Sequence, residues 1–226
     1  MKKLLISLFA LTVMSFTYAE EVVYYENGGD YSQQEMDKRW ERIKQLDNKL
    51  LYDPDKGRLK ANHDLYEQEF TVFIEELKGN PERLFQVGDY YFRDGRYDKA
   101  YQIFSQDNTN LKNIFGAATT ARFLNDNENA LRLYDEAIEK NPNFYESYLG
   151  RGIIRRNSGN YDGAIEDFNK YMEYVQNESV YLGLGDTYMA SGRYIEAKNI
   201  LEVGRSKFPN SVLIKEMLTK AYGKLK

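Results

Sequence analysis

Apolar side chains recur at helical spacing along most of this chain, and no stretch alternates with the two-residue period of a strand. The spacing predicts a helix over residues 31–52 and a second over residues 58–78. A turn-forming segment, residues 53–57, separates them, and Gly79-Asn80-Pro81 ends the second. The apolar positions of the two helices are Met36, Trp40, Ile43, Leu46 and Leu50, then Leu65, Phe70, Phe73, Ile74 and Leu77.

The first nineteen residues have the pattern of a secretory signal peptide. Lys2 and Lys3 precede an apolar run from Leu4 to Met14, and small residues around Ala19 follow it. The run is too short to cross about 30 Å of hydrocarbon, and no cysteine follows to carry a lipid anchor. We therefore expect export to the periplasm or outside the cell, with cleavage after Ala19. Residues 20–30 lack helical periodicity and are predicted to be a flexible tail.

A short segment with a turn residue at its start and alanine at its end recurs four times. The four copies begin at Gly95, Asn125, Gly159 and Gly192, and they end at Ala100, Ala130, Ala164 and Ala197. The alanines are 30, 34 and 33 residues apart. A period near 34 residues is typical of two helices joined by a turn, stacked copy on copy. We expect left-handed backbone at the four turn residues, where Asn125 replaces glycine.

Other positions recur with the same period. Sixteen residues before each alanine is a large apolar residue, and four residues after it is another: these are Leu84, Ile114, Tyr148 and Tyr181, then Phe104, Tyr134, Phe168 and Leu201. The residues three, four and seven places after each leading residue, such as Val87, Gly88 and Tyr91 after Leu84, share one helical face with it, and that face packs on the second helix of the pair. Small residues at the crossing allow the two backbones to approach closely.

This pattern resembles the tetratricopeptide repeat (TPR) family. The resemblance implies an all-α fold, a right-handed TPR superhelix or α-solenoid of four repeats. The repeats would cover residues 81–110, 111–144, 145–177 and 178–211, and residues 212–226 would form a capping helix, which such a solenoid needs over its last apolar face. Arg151 and Arg155 depart from the apolar pattern in the third repeat. Nine tyrosines fall in motif positions and are expected to pack helices together, Tyr222 of the last helix among them.

Two interpretations fit the helical pair at residues 31–80. It is either a degenerate repeat that caps the solenoid, or residues 31–52 form a short coiled coil that makes the protein a homo-oligomer. Asp47 would fall in the seam of a coiled coil, and about three heptads are marginal for one. We favour the cap.

The TPR resemblance also implies a concave groove, lined by the first helices, that binds segments of partner proteins. Its residues lie one, five and eight places after each leading apolar residue: Phe85, Asp89 and Phe92; Phe115, Thr119 and Arg122; Leu149, Ile153 and Arg156; Leu182, Asp186 and Met189; with Glu216 and Lys220 from the capping helix. Arg93, Arg122 and Arg156 are candidate charged anchors, because arginine and aromatic residues dominate binding hot spots. We expect partial exposure of the apolar members; the alternative is that Phe85, Phe115 and Leu149 pack between repeats. The lysine- and asparagine-rich clamp of one TPR subtype is absent.

The amino-acid composition excludes several classes of functional site. The absence of cysteine excludes disulfides, thiolate catalysis and cysteine-ligated metals, and a lone histidine excludes multi-histidine sites. The net charge of −4 becomes −6 after signal cleavage, which disfavours nucleic-acid binding. No nucleophile–base set, cofactor motif or metal motif is evident. We therefore expect a non-catalytic scaffold of the cell envelope that binds a protein or peptide partner. A carrier of a small apolar ligand and an accessory subunit of an envelope enzyme complex are the alternatives.

Overall fold

A computed structural model describes residues 31–52 and 56–225, and this part of the chain contains eleven helices and no strand. The predicted signal peptide and the tail at residues 20–30 lie outside the described residues. Contacts between residues divide the described chain into two compact units, one that ends at Asn113 and one that begins at Ile114.

The helices follow the predicted order. The second helix begins two residues earlier than the apolar spacing indicates. The bounds are α1 Tyr31–Tyr52, α2 Lys56–Leu77, α3 Pro81–Arg93, α4 Tyr97–Phe104, α5 Leu111–Phe123, α6 Asn127–Lys140, α7 Glu146–Asn157, α8 Tyr161–Met172, α9 Glu178–Ala190, α10 Tyr194–Lys207 and α11 Val212–Lys224.

The unit that ends at Asn113 has an aromatic core around the single tryptophan. Trp40 of α1 stacks on Phe73 of α2 at 5.4 Å between ring centroids and meets Tyr91 of α3 edge-on at 5.7 Å. Asp47, the residue that would fall in a coiled-coil seam, is buried and pairs with Arg96 at 2.6 Å. The apolar face of α1 therefore packs within its own chain. Oligomerisation through residues 31–52 stays a prediction.

The shortened end of the first repeat is an ordered turn built on Asp107. One carboxylate oxygen accepts hydrogen bonds from the backbone N–H (2.8 Å) and hydroxyl (2.6 Å) of Thr109, and the other accepts from the Asn113 amide at 3.1 Å. Asn113 also donates to the carbonyl of Pro81 at 2.9 Å. Burial raises the pKa of Asp107, but these hydrogen bonds bring it below the ordinary value. The turn thus replaces the missing helical residues with side-chain hydrogen bonds.

The turns inside the repeats have the backbone that the sequence predicts. Asn125 has a φ of 63°, and Gly95, Gly159 and Gly192 have φ between 76° and 83°. The backbone N–H of the residue after each of these donates to the carbonyl five residues earlier, as from Asn160 to Arg155 at 2.8 Å. Left-handed residues followed by such bonds end helices and satisfy their last carbonyls.

Rings fill the spaces that glycines leave in the unit that begins at Ile114. Phe168 of α8 lies between Gly152 of α7 and Gly183 of α9, where a Cβ on either glycine would lie 3.0 Å or 3.4 Å from the ring. Tyr134 of α6 packs on Gly150 of α7 more tightly still, since a Cβ there would lie 2.5 Å from ring atom Cε1. Gly150 therefore serves helix packing, because a side chain there would press on a buried ring, whereas a methyl group at Gly183 would lie at ordinary contact distance from Phe168.

The tyrosines of the motif do not all behave alike. Tyr91, Tyr134 and Tyr181 are almost fully buried and pack helices together. Tyr222 contacts the preceding helix through Glu202 of α10, but it is 40% exposed and so is not part of the core. No described helix follows α11 to cover that side of it.

Candidate partner-binding face

In the first repeat, the predicted groove residues pack and pair locally. Phe92 is buried against Tyr97 at 5.3 Å between ring centroids, and Phe85 is half-buried beside Phe104 at 5.9 Å. Asp89 is buried and accepts a hydrogen bond from Nε of exposed Arg93 at 2.7 Å. Burial raises the pKa of Asp89, and Arg93 partly offsets that rise.

We call the corresponding first-helix positions from Ile114 onwards the groove face. All but one of its apolar members are buried, which corrects the expectation that they would be partly exposed: the buried ones are Phe115, Leu149, Ile153 and Leu182, and Met189 is the exception. Phe115, for example, contacts Tyr134 at 6.0 Å and Phe144 at 5.4 Å between ring centroids. The alternative weighed for Phe115 and Leu149, packing in place of exposure, is the arrangement found.

The accessible part of the groove face is mostly polar. Arg156 of α7 forms an ion pair with Asp186 of α9, so this contact joins the third repeat to the fourth. Burial lowers the pKa of Arg156. Met189 is half-buried, and Glu216 and Lys220 of α11 are exposed.

Thr119 and Arg122 are the polar groove-face residues of α5. Thr119 is buried, and its hydroxyl lies 3.0 Å from the Tyr134 hydroxyl. Arg122 is 9% exposed, its guanidinium carbon lies 4.6 Å from the Phe123 ring centroid, and its Nε is buried without a hydrogen-bond partner. Among residues 31–52 and 56–225, Arg122 has no carboxylate within salt-bridge distance.

A second set of charges lies inside the third repeat, between α7 and α8. Arg151 binds Asp167 through two nitrogens, at 2.6 Å and 3.0 Å, and Asp135 of α6 at 2.6 Å. Arg155 donates to the same Asp167 carboxylate, which is only 1% exposed, at 3.0 Å. Burial lowers the pKa of Arg151, but its carboxylate partners raise it above the ordinary value. These arginines hold the repeat together and are unavailable to a partner.

Sequence reasoning identified the two arginines as departures from the pattern but missed Asp167. The signal was present, because Asp167 stands three residues after Ala164, where the fourth repeat has Ile200. An acid there, opposite two arginines of the preceding helix, indicates a buried ion pair.

The described residues hold no group of three or more His, Asp or Glu side chains arranged to bind a metal ion. His63 is exposed, and its nearest acidic partner, Glu67, lies 3.9 Å away. Across α1 to α11, no helix is long and apolar enough to cross a membrane.

The described chain repeats one arrangement: two helices joined by a left-handed turn, with a large side chain packed against a small residue where the helices cross. This arrangement defines a helical-repeat protein. Tetratricopeptide repeat models match residues 115–173 and residues 156–221. The chain is therefore a tetratricopeptide repeat protein over residues 115–221, the span that the two models cover.

Curated relatives agree with this assignment. The chain is 32% identical over 133 residues to the TPR repeat-containing protein MJ1428 of Methanocaldococcus jannaschii, covering 57% of this chain and 23% of that one. It is 26% identical over 162 residues to the TPR repeat-containing protein YpiA of Bacillus subtilis, covering 69% and 38%. The chain thus spans well under half the length of either relative.

Solved structures share the fold. A tetratricopeptide repeat protein from Parabacteroides merdae superposes with a TM-score of 0.61 at 20% identity, covering 85% of this chain and 74% of its own. MamA of AMB-1 superposes with a TM-score of 0.57 at 17% identity, covering 64% and 82%.

Proposed function

We propose that this protein is a non-catalytic scaffold that binds a segment of a partner protein on its groove face. The observation that carries the proposal is the Arg156–Asp186 ion pair, which joins predicted groove positions of two successive first helices, α7 and α9. Family membership supports it, because repeat solenoids use such extended faces to bind partners.

A protein partner is favoured over a small apolar ligand. Leu149, Ile153 and Leu182 are buried, so they offer little free apolar surface. The accessible groove-face residues are mostly charged, which suits a polypeptide with polar side chains. Native mass spectrometry of the purified protein tests this choice: we expect the mass of the polypeptide alone, and a retained small molecule would favour a carrier.

We further propose that the protein acts in the cell envelope after export. The support is the signal-peptide pattern that ends at Ala19. Cell fractionation with N-terminal sequencing tests it: we expect an envelope or secreted protein that begins at Glu20. A cytoplasmic protein that begins at Met1 would contradict export and would leave the binding proposal standing.

Partner binding is tested by cross-linking capture of the mature protein from its own cells. The groove variant Glu216→Lys with Lys220→Glu reverses two exposed charges of α11. The control variant Arg132→Glu reverses a charge on α6, where the arginine side chain is 63% exposed. We expect the groove variant to lose captured proteins that the wild type and the control retain. Equal capture by all three would contradict binding on this face.

A further inference from the structure

Two arginines occupy the same repeat position on the groove face but differ in their partners. Arg122 and Arg156 each stand eight residues after the leading apolar residue of their repeats, Ile114 and Tyr148. Arg156 pairs with Asp186, which stands five residues after the leading residue of the following repeat. For Arg122, the equivalent position of the following repeat is Ile153. The repeat register therefore explains why Arg122 lacks the carboxylate that Arg156 has.

Arg122 is the groove-face arginine whose charge the described chain does not neutralise. Arg93 has Asp89 and Arg156 has Asp186, whereas Arg122 has only the Phe123 ring. It is nine-tenths buried, and its Nε has no hydrogen-bond partner. Arginine does not lose its proton in proteins, and a buried, unpaired charge is costly. The described chain thus leaves the Arg122 guanidinium without a carboxylate partner.

We propose that Arg122 is the anchor for an acidic side chain, Asp or Glu, of the partner segment. The proposal rests on the proposed function and adds the chemistry of the partner at one position. A guanidinium presents paired N–H donors that fit a carboxylate, and such charge-assisted bonds are stronger than neutral ones. Ile153 stands at the repeat position where the following repeat has Asp186. The chain therefore supplies no carboxylate for Arg122 at this position, and the partner would supply it.

The site favours an acidic side chain over a free chain end. A carboxyl terminus held by a repeat groove needs several donors around its two oxygens. In the repeat register, the groove-face positions next to Arg122 hold Thr119, whose hydroxyl is engaged with Tyr134, and apolar Ile153. One guanidinium with no free donor at either of these two positions suits one side-chain carboxylate.

Peptide display tests the inference. Two random libraries of about twelve residues are selected on the mature protein, one fused so that no peptide carboxyl end is free and one with free ends. The variants are Arg122→Gln, which removes the anchor; Arg132→Gln, the matched control on α6; and Asp186→Asn, which frees Arg156. Sequencing gives the frequency of Asp and Glu at each aligned peptide position.

We expect the wild type and Arg132→Gln to enrich Asp or Glu at one position of the peptides in the fused library. Arg122→Gln should show about tenfold less enrichment at that position, but it should select the same residues at the uncharged positions. Asp186→Asn should add a second acidic position. Equal acid enrichment by the wild type and Arg122→Gln would overturn the inference, as would enrichment confined to free carboxyl ends, and in both cases groove binding would stand. A selection that enriches no peptide would contradict the proposed function and this inference together.

Discussion

The third and fourth repeats share one backbone arrangement but fill it with different chemistry. Between α7 and α8, Arg151 and Arg155 hold the buried carboxylate of Asp167. Between α9 and α10, the equivalent positions are apolar or aromatic: Leu184, Tyr188 and Ile200. Both repeats keep a glycine at the crossing and a large side chain against it, Phe168 on Gly152 and Leu201 on Gly185.

The comparison separates two requirements of this fold. The crossing requires small residues, because a Cβ on Gly152 or Gly185 would lie 3.0 Å or 2.6 Å from the opposing side chain. The positions beside the crossing, which hold Arg151, Arg155 and Asp167 in the third repeat, accept either apolar or charged side chains, provided that every buried charge has a partner. Arginine in a repeat is therefore not by itself a sign of binding, and the partner of each arginine has to be identified first.

The largest expected effect comes from Asp167→Ala. It would leave Arg151 and Arg155 without their shared carboxylate, and breaking a buried pair in this way costs about 3–5 kcal/mol. Ile200→Ala, the matched change in the fourth repeat, should cost about 1–2 kcal/mol because Ile200 is only half-buried. Urea unfolding followed by far-UV circular dichroism measures both. Equal losses would mean that the ion network contributes no more than ordinary packing.

The next effect compares two glycines at the same repeat position. Gly150→Ala would drive a methyl group into the Tyr134 ring and should lower the free energy of unfolding by about 1–3 kcal/mol. Gly183→Ala has 3.4 Å to the Phe168 ring and removes a poor helix former, so we expect a change between zero and a gain of about 1 kcal/mol. The same urea experiment measures both changes. Similar losses for the two variants would contradict the packing difference.

A smaller effect is expected when the third repeat receives the residues of the fourth. Arg151→Leu, Arg155→Tyr and Asp167→Ile together replace the buried ion network with the side chains that the fourth repeat has at these positions, and such replacements are often neutral or stabilising. We expect a free energy of unfolding within about 1 kcal/mol of the wild type, or above it. A loss as large as that of Asp167→Ala alone would show that the two chemistries are not interchangeable here.

The smallest effect is expected at the ion pair that joins the two repeats. A double-mutant cycle of Arg156→Gln and Asp186→Asn should give a coupling of about 0.2–1 kcal/mol, because both side chains remain partly exposed. The coupling should weaken as salt is raised. A coupling above that range and insensitive to salt would mean that the pair is more buried than the structure shows.

The sequence predicts those features of the fold that follow from local pattern. The turn at Asn125 and the bounds of α1 follow from residue type and apolar spacing, and both agree with the structure. The exposure of Tyr222 and the burial of Ile153 and Leu182 were not predicted. The repeat register predicts the helix face on which a residue lies. The exposure of its side chain also depends on whether another helix packs against that face. Asp167 was missed because its partners lie on another helix, sixteen residues away in the case of Arg151.

The candidate site was predicted only in part. The positions of the groove face follow from the repeat register, and the Arg156–Asp186 contact agrees with it. Arg93 pairs with Asp89 of its own helix, but whether Arg122 and Arg156 have partners depends on contacts between helices. That information came from the structure alone.

Photo-cross-linking in living cells tests whether the groove face binds a partner protein. A photoreactive residue is placed at Glu216 or Lys220 on the groove face, and at Arg132 or Glu139 on α6 as controls, all four being exposed. We expect one discrete cross-linked partner from each groove-face position and none from the controls. Cross-links from the α6 positions alone, or equally from all four, would contradict binding on this face.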